Sequence, residues 1–161
     1  MIIANRRERL TALFQCLTLD RNNEEPTAMP TANTTGEQII EAAVAGPDEA
    51  NRLFTITGTA NVGIFVSNGQ SRTETWTFPV GPIFTRGQLY RAIGTASLSA
   101  QNLNVQTAPA SSQFSITSVE ADWDDESGRV EVRVEVFLTA SASANVSING
   151  LRYWVTVLAQ V

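Results

Sequence analysis

Apolar and polar residues alternate through most of the chain from Leu53 onward. Phe54, Ile56, Gly58, Ala60, Val62, Ile64 and Val66 fall on every second position, so an extended strand puts them all on one face. Trp76, Phe78 and Val80 do the same on the next segment, with Ser67-Asn68-Gly69 between. A two-residue Asn68-Gly69 loop would split these apolar faces. A three-residue loop with Gly69 left-handed pairs Val66 with Gln70 and Ala60 with Trp76 and unites them, so the spacing predicts the longer loop.

The sharpest alternation is Val130, Val132, Val134, Val136 and Leu138 against Glu131, Arg133 and Glu135, a strand with one dry and one wet face. Phe114 to Trp123 reads as a strand before it, and Leu151, Tyr153, Val155, Val157 and Ala159 as another after it. Short connections among these three predict an antiparallel meander.

Helical spacing is expected in three places. Ile3, Leu10, Leu13, Phe14 and Leu17, with Arg6, Arg7, Glu8 and Arg9 among them, predict an amphipathic helix over about 4–18. Thr34-Thr35-Gly36-Glu37 has capping-box spacing ahead of Ile39, Ile40, Ala43 and Val44 and is stopped by Gly46-Pro47, which predicts a second short helix. Thr85 to Gln88 has that spacing again before Leu89, Ile93, Ala96 and Ala100, predicting a helix over 86–100. Gly94 and the Thr95, Ser97, Ser99 series make an edge strand the competing assignment for its second half. Between the first two helices, Asp20 to Asn33 is polar, with little to bury, and reads as a linker.

These elements predict a mainly β, α+β fold: an antiparallel β-sandwich or bent sheet with one packed helix and an N-terminal helical arm. Residues 1–50 would be the arm and linker, and 51–161 the β-rich body. With 161 residues, a single core needs no disulfide or metal.

Composition then narrows the chemistry. The chain has no histidine and no lysine; all 11 basic residues are arginine, against 16 carboxylates, for a formal net charge of −5. The usual general base at neutral pH and the tunable amine are both missing, so no enzyme is expected. No Gly-x-Ser-x-Gly elbow, phosphate-cradling glycine loop or zinc-binding pair is present, and neither catalytic residues nor cofactors are expected. The acidic balance argues against nucleic acid as a partner. Lysine is depleted at protein interfaces and is the usual guard of exposed strand edges, so its absence suits an assembling chain, although a GC-rich genome gives the same bias. Cys16 sits in the apolar run Leu13 to Leu17 and reads as an inert thiol. Charge follows the first apolar residues instead of preceding a long apolar stretch, so synthesis in the cytoplasm is expected, with incorporation in a particle a further destination. No membrane partner is expected.

Asp122, Asp124, Asp125 and Glu126 could hold a hard cation, but the glycine comes one position too late for an EF-hand, and the segment already has what a turn needs, so no metal is expected. Trp76, Trp123 and Trp154 are candidates for a ligand platform, with core filling as the plainer role. Trp154 and Leu158 lie opposite the apolar face of their strand, and Phe137 lies opposite the valines of its own. With Arg6, Arg7, Leu10 and Phe14 of the terminal segment, these three form the candidate interface. The expected function is a non-catalytic structural subunit of a phage or virus particle, a tail-like machine or a filament, which homo-oligomerises through strand edges and its arm. The alternative is a soluble β-sandwich module that binds a carbohydrate or other small ligand.

Overall fold

The computed structural model describes residues 29–45 and 50–161. The helix expected over 4–18, Cys16 and the interface candidates Arg6, Arg7, Leu10 and Phe14 lie outside the described residues, as does most of the linker. Eight strands follow in order: β1 (Asn33–Ala43), β2 (Asn51–Asn61), β3 (Ile64–Ser67), β4 (Ser71–Val80), β5 (Leu89–Val105), β6 (Ser112–Trp123), β7 (Val130–Ala140) and β8 (Ala144–Gln160).

They make two antiparallel sheets. β8 is the spine of a five-stranded sheet, with β2 and β3 end to end along one side, β5 along the other and β1 outside β2. The second sheet has three strands in the order β4-β7-β6. The predicted inward rows meet between them: Val130, Val132, Val134, Val136 and Leu138 from β7, and Leu151, Tyr153, Val155, Val157 and Ala159 from β8, are all buried. Each valine or leucine among them contributes about 1.5–3 kcal/mol relative to exposure, so these two strands dominate the core. β8 changes phase at Gly150, so that Ile148, opposite Ile64, and Leu151, opposite Ala60, both face inward.

Four expectations are corrected. The helix expected from Thr34 onward is strand β1, paired with β2. Its capping-box residues form a bulge instead: Gly36 is left-handed at φ 64°, and the pairing shifts between Thr35 and Gln38. Glu37 turns inward to Arg129 and Tyr153, a long-range set of partners that local capping cannot match. The packed helix over 86–100 is strand β5, bonded to β8 from Leu89 to Val105. The capping spacing is real but serves one turn, in which Thr85 N–H donates to Gln88 Oε1 (2.7 Å) and Gln88 N–H to the Thr85 carbonyl (2.9 Å). Ala92, Gly94, Ala96 and Leu98 then face inward with period two; a Cβ on Gly94 would lie 3.3 Å from Ala121 of β6.

The turn after β3 also differs. Asn68 and Gly69 are both left-handed, at φ 51° and 79°, and Gln70 N–H donates to the Ser67 carbonyl (3.0 Å), a two-residue turn. The expected pairs Val66–Gln70 and Ala60–Trp76 do not form, because β3 and β4 enter different sheets: Val66 pairs with Val146 and Trp76 with Val134. Both apolar faces still reach the core, from opposite sides. Likewise β6 and β7 pair, but β8 crosses to the other sheet, so the three-strand meander is broken at its last member.

One end of the β4 edge is closed from the N-terminal side. Thr77 N–H donates to the Pro30 carbonyl (3.2 Å) and Ala32 N–H to the Thr77 carbonyl (2.8 Å), before the chain moves to β2 as β1. The segment 30–43 therefore touches both sheets.

Candidate interaction surface

With the inward rows fixed, register determines what each sheet shows to solvent. On the five-stranded sheet the outward positions of β1, β2, β8 and β5 line up in cross-strand rows: Ala42–Leu53–Leu158–Arg91, Ile40–Thr55–Thr156–Ile93, Gln38–Thr57–Trp154–Thr95 and, on the last three strands, Thr59–Arg152–Ser97. Ile40 is 67% exposed, Ile93 52% and Trp154 56%. These rows contain no carboxylate. Their charges are Arg91 and Arg152, in the first and last rows. Hydroxyl-bearing threonines fill the middle of the face, and their methyl groups extend its apolar area.

Trp154 stands in a shallow groove of about 470 Å³ lined also by Gln38, Thr57, Thr95, Ser97 and Arg152. The other two tryptophans do not join it. Trp76 and Trp123 pack on the core, and the Trp123 Nε1–H donates to the Phe84 carbonyl (3.1 Å). Of the three candidate platform tryptophans, Trp154 alone presents its indole outward, and the other two take the plainer core-filling role.

The outward rows of the three-stranded sheet have a different chemistry: Pro79–Glu131–Asp122, Thr77–Arg133–Glu120 with Thr77 itself buried, Thr75–Glu135–Ser118, Thr73–Phe137–Ser115 and Ser71–Thr139–Gln113. Four carboxylates lie here beside one arginine, and Arg133 is 3.8 Å from Glu120. Phe137, half-buried, is the one aromatic. The candidate interface residues therefore fall on two surfaces: Trp154 and Leu158 share one face, while Phe137 lies on the outside of the other sheet.

Beneath the groove is a polar cluster that local sequence patterns do not reveal. Glu37 Oε2 accepts from the Tyr153 hydroxyl (3.2 Å) and Gly81 N–H (3.3 Å), and its Oε1 from Arg129 Nη2 (3.2 Å). Arg129 Nε also donates to the Gly81 carbonyl (2.7 Å). Burial, and then the Glu37 charge, push the Tyr153 phenol well above its usual range, so it stays a neutral donor. The Tyr153 ring lies over Gly58, where an added Cβ would come within 2.6 Å of Cζ. The cluster fastens the bulge of β1 to the core.

The acidic connection after β6 is a self-capped turn. Asp124 accepts from Ser127 N–H (3.0 Å) and Glu126 N–H (3.3 Å), and Gly128 is left-handed at φ 66°. Bonds from Ser127 hold the Asp124 carboxyl below its ordinary value. Among the described residues no three His, Cys, Asp or Glu side chains gather as a metal-holding group.

Neither a family model, nor a curated protein, nor a solved structure matches this chain. Among the described residues no helix is long and apolar enough to cross a membrane.

Of the residues that build the outward face, Leu53 was within reach of the sequence, since it is out of phase with Phe54. Ile40 and Ile93 were hidden because their segments read as helices. Arg91 and Arg152 carried no signal until register placed them on the same surface.

Proposed function

We propose that this chain is a non-catalytic structural or assembly subunit of a larger protein particle, of the kind found in phage or virus particles, tail-like machines and filaments. The observation that carries this is the outward face of the five-stranded sheet, where Ile40, Leu53, Ile93, Trp154 and Leu158 stand together without a carboxylate. A contiguous apolar area rimmed by polar residues favours association. Tryptophan and arginine are the residues that most often anchor interfaces, and this face has Trp154 beside Arg152. The N-terminal residues Arg6, Arg7, Leu10 and Phe14 would add an exchanged arm. Nucleic acid and membrane have no part in this function: the opposite sheet shows Glu120, Asp122, Glu131 and Glu135, which repel phosphate.

The test is the mass of the full-length chain by light scattering across a concentration series, with microscopy of any large fraction. Rings, tubes or closed oligomers are expected. A 17.4 kDa monomer at every concentration would overturn self-assembly. Deleting residues 1–28 should weaken the assembly and leave the sheets folded; the cut stops there because Pro30 and Ala32 bond to Thr77.

The alternative function, a module for a carbohydrate or other small ligand, draws on the groove at Trp154. An indole face flanked by the Thr57 and Thr95 hydroxyls, Gln38 and Arg152 offers stacking together with hydrogen bonds. Movement of tryptophan fluorescence on adding oligosaccharides, lost in Trp154→Ala, would favour it.

A further inference from the structure

The two outward faces are opposite in charge, which bears on how copies would meet. Arg91 and Arg152 are the charges on the outward rows of the five-stranded sheet, and among the described residues neither has an ion-pair partner. On the three-stranded sheet, Glu131 and Asp122 share one row and Glu135 lies two rows further on. In each face the aromatic is one row from a charge: Trp154 from Arg152, and Phe137 from Glu135. One row is two residues along a strand, about 7 Å. We infer that the partner of the Trp154 face is the acidic outer face of a second copy of this chain, packed sheet on sheet, with Trp154 toward Phe137 and Arg152 toward Glu135. This rests on the assembly function proposed above and specifies its geometry.

Charge and area both favour this partner. Two Trp154 faces placed together would bring four arginines into one interface with no carboxylate between them, whereas the acidic face sets Glu135 opposite Arg152. Four strands about 4.8 Å apart and four rows about 7 Å apart give a patch of about 500 Å² in projection, of the order that one partner contributes to a stable interface once side-chain relief is counted. Because the contact joins unlike faces on opposite sides of the subunit, it repeats. The product is a ring if the rotation closes and a filament if it does not, in contrast to the dimer that a self-complementary face would form.

Two variants of the full chain test this: Arg152→Glu and Glu135→Arg, each checked for folding by circular dichroism. Neither should assemble alone. An equimolar mixture should regain high mass, because the reversed faces match each other, and wild-type assembly should weaken as salt is raised. If the acidic-face variant keeps wild-type mass, unlike-face packing is overturned while assembly stands. If that variant does not fold, Glu135→Gln replaces it, and unchanged mass at low salt overturns the inference in the same way. A wild-type chain that is monomeric throughout defeats the assembly function itself, and this packing with it.

Discussion

The two sheets have the same kind of inner surface and opposite outer ones. Inside, β7 and β8 both present unbroken buried rows, valines and leucine against leucine, tyrosine, valine and alanine. Outside, β8 shows Arg152, Trp154, Thr156 and Leu158, whereas β7 shows Glu131, Arg133, Glu135 and Phe137. Inward positions are constrained by packing, so their similarity follows from folding alone. Outward positions have no such constraint. Their divergence is therefore where a functional difference between the sheets would be written, and it sets an apolar, weakly cationic surface against an acidic one.

Trp154→Asp is the strongest way to break this contrast, because it puts a carboxylate in the middle of the face that lacks one. A central tryptophan lost from an interface typically costs at least about 2 kcal/mol, roughly thirtyfold in dissociation constant. The expected result by light scattering is loss of the assembly. Circular dichroism and melting temperature should change little, since Trp154 is outside the core. A large fall in melting temperature would mean that the indole supports the fold, and the contrast between faces would lose its main member.

Its neighbour Tyr153 sharpens the comparison from the inner side. Tyr153→Phe should leave assembly intact and lower stability by about 1–3 kcal/mol, because Glu37 loses a donor inside the fold. It should also change the response to alkali. The phenol is held above its ordinary value of 10.0 in the folded chain, so its contribution is complete below that pH and is lost as pH rises above it. Urea titrations at neutral and strongly alkaline pH should show wild-type stability falling at the alkaline end, and the fall should be shallower in Tyr153→Phe. An equal slope in both would assign the alkaline loss to other groups.

Which side chains face inward was legible from sequence because parity is a property of one strand. Phe54 to Val66, Val130 to Leu138 and Leu151 to Ala159 are buried as their alternation requires, and the same parity put Trp154 outside. Which sheet each strand joins was not legible. An apolar face satisfies its burial equally well from either side of the core, so the Ser67 to Gln70 turn looked like a hairpin although β3 and β4 part there. β1 and β5 were lost for a different reason. Ile39, Ile40, Ala43 and Val44, and Leu89, Ile93 and Ala96, repeat near helical spacing, and a hydroxyl three residues before Glu37 or Gln88 imitates a helix start. In β1 the deciding partner, Arg129, is 92 residues from Glu37. In β5 it is the free edge of β8. With two strands misread, the outward face could be seen only as Trp154 and Leu158, without the isoleucines on either side of it.

The smallest effect separates carboxylates that are free to meet a partner from those the fold already uses. Asp124 lies beside the acidic rows, but its two oxygens accept N–H groups of its own turn, and these bonds lower its pKa. A carboxyl lowered in this way contributes stability above its unfolded value of 3.8, and that contribution is lost as pH falls through the folded value. Asp124→Asn should therefore be slightly less stable than wild type at neutral pH, with the difference disappearing in acid, and its assembly should be unchanged. Glu135→Gln should do the reverse: melting would change little while assembly at low salt weakened, because Glu135 faces outward and accepts within the fold only a surface bond from the Thr117 hydroxyl. Thermal melts at pH 7 and below pH 3, paired with light scattering at low salt, measure both. If Asp124→Asn weakened assembly as much as Glu135→Gln, the acidic surface would act by total charge instead of by the rows that register sets out, and the match of Arg152 to Glu135 would lose its geometric basis.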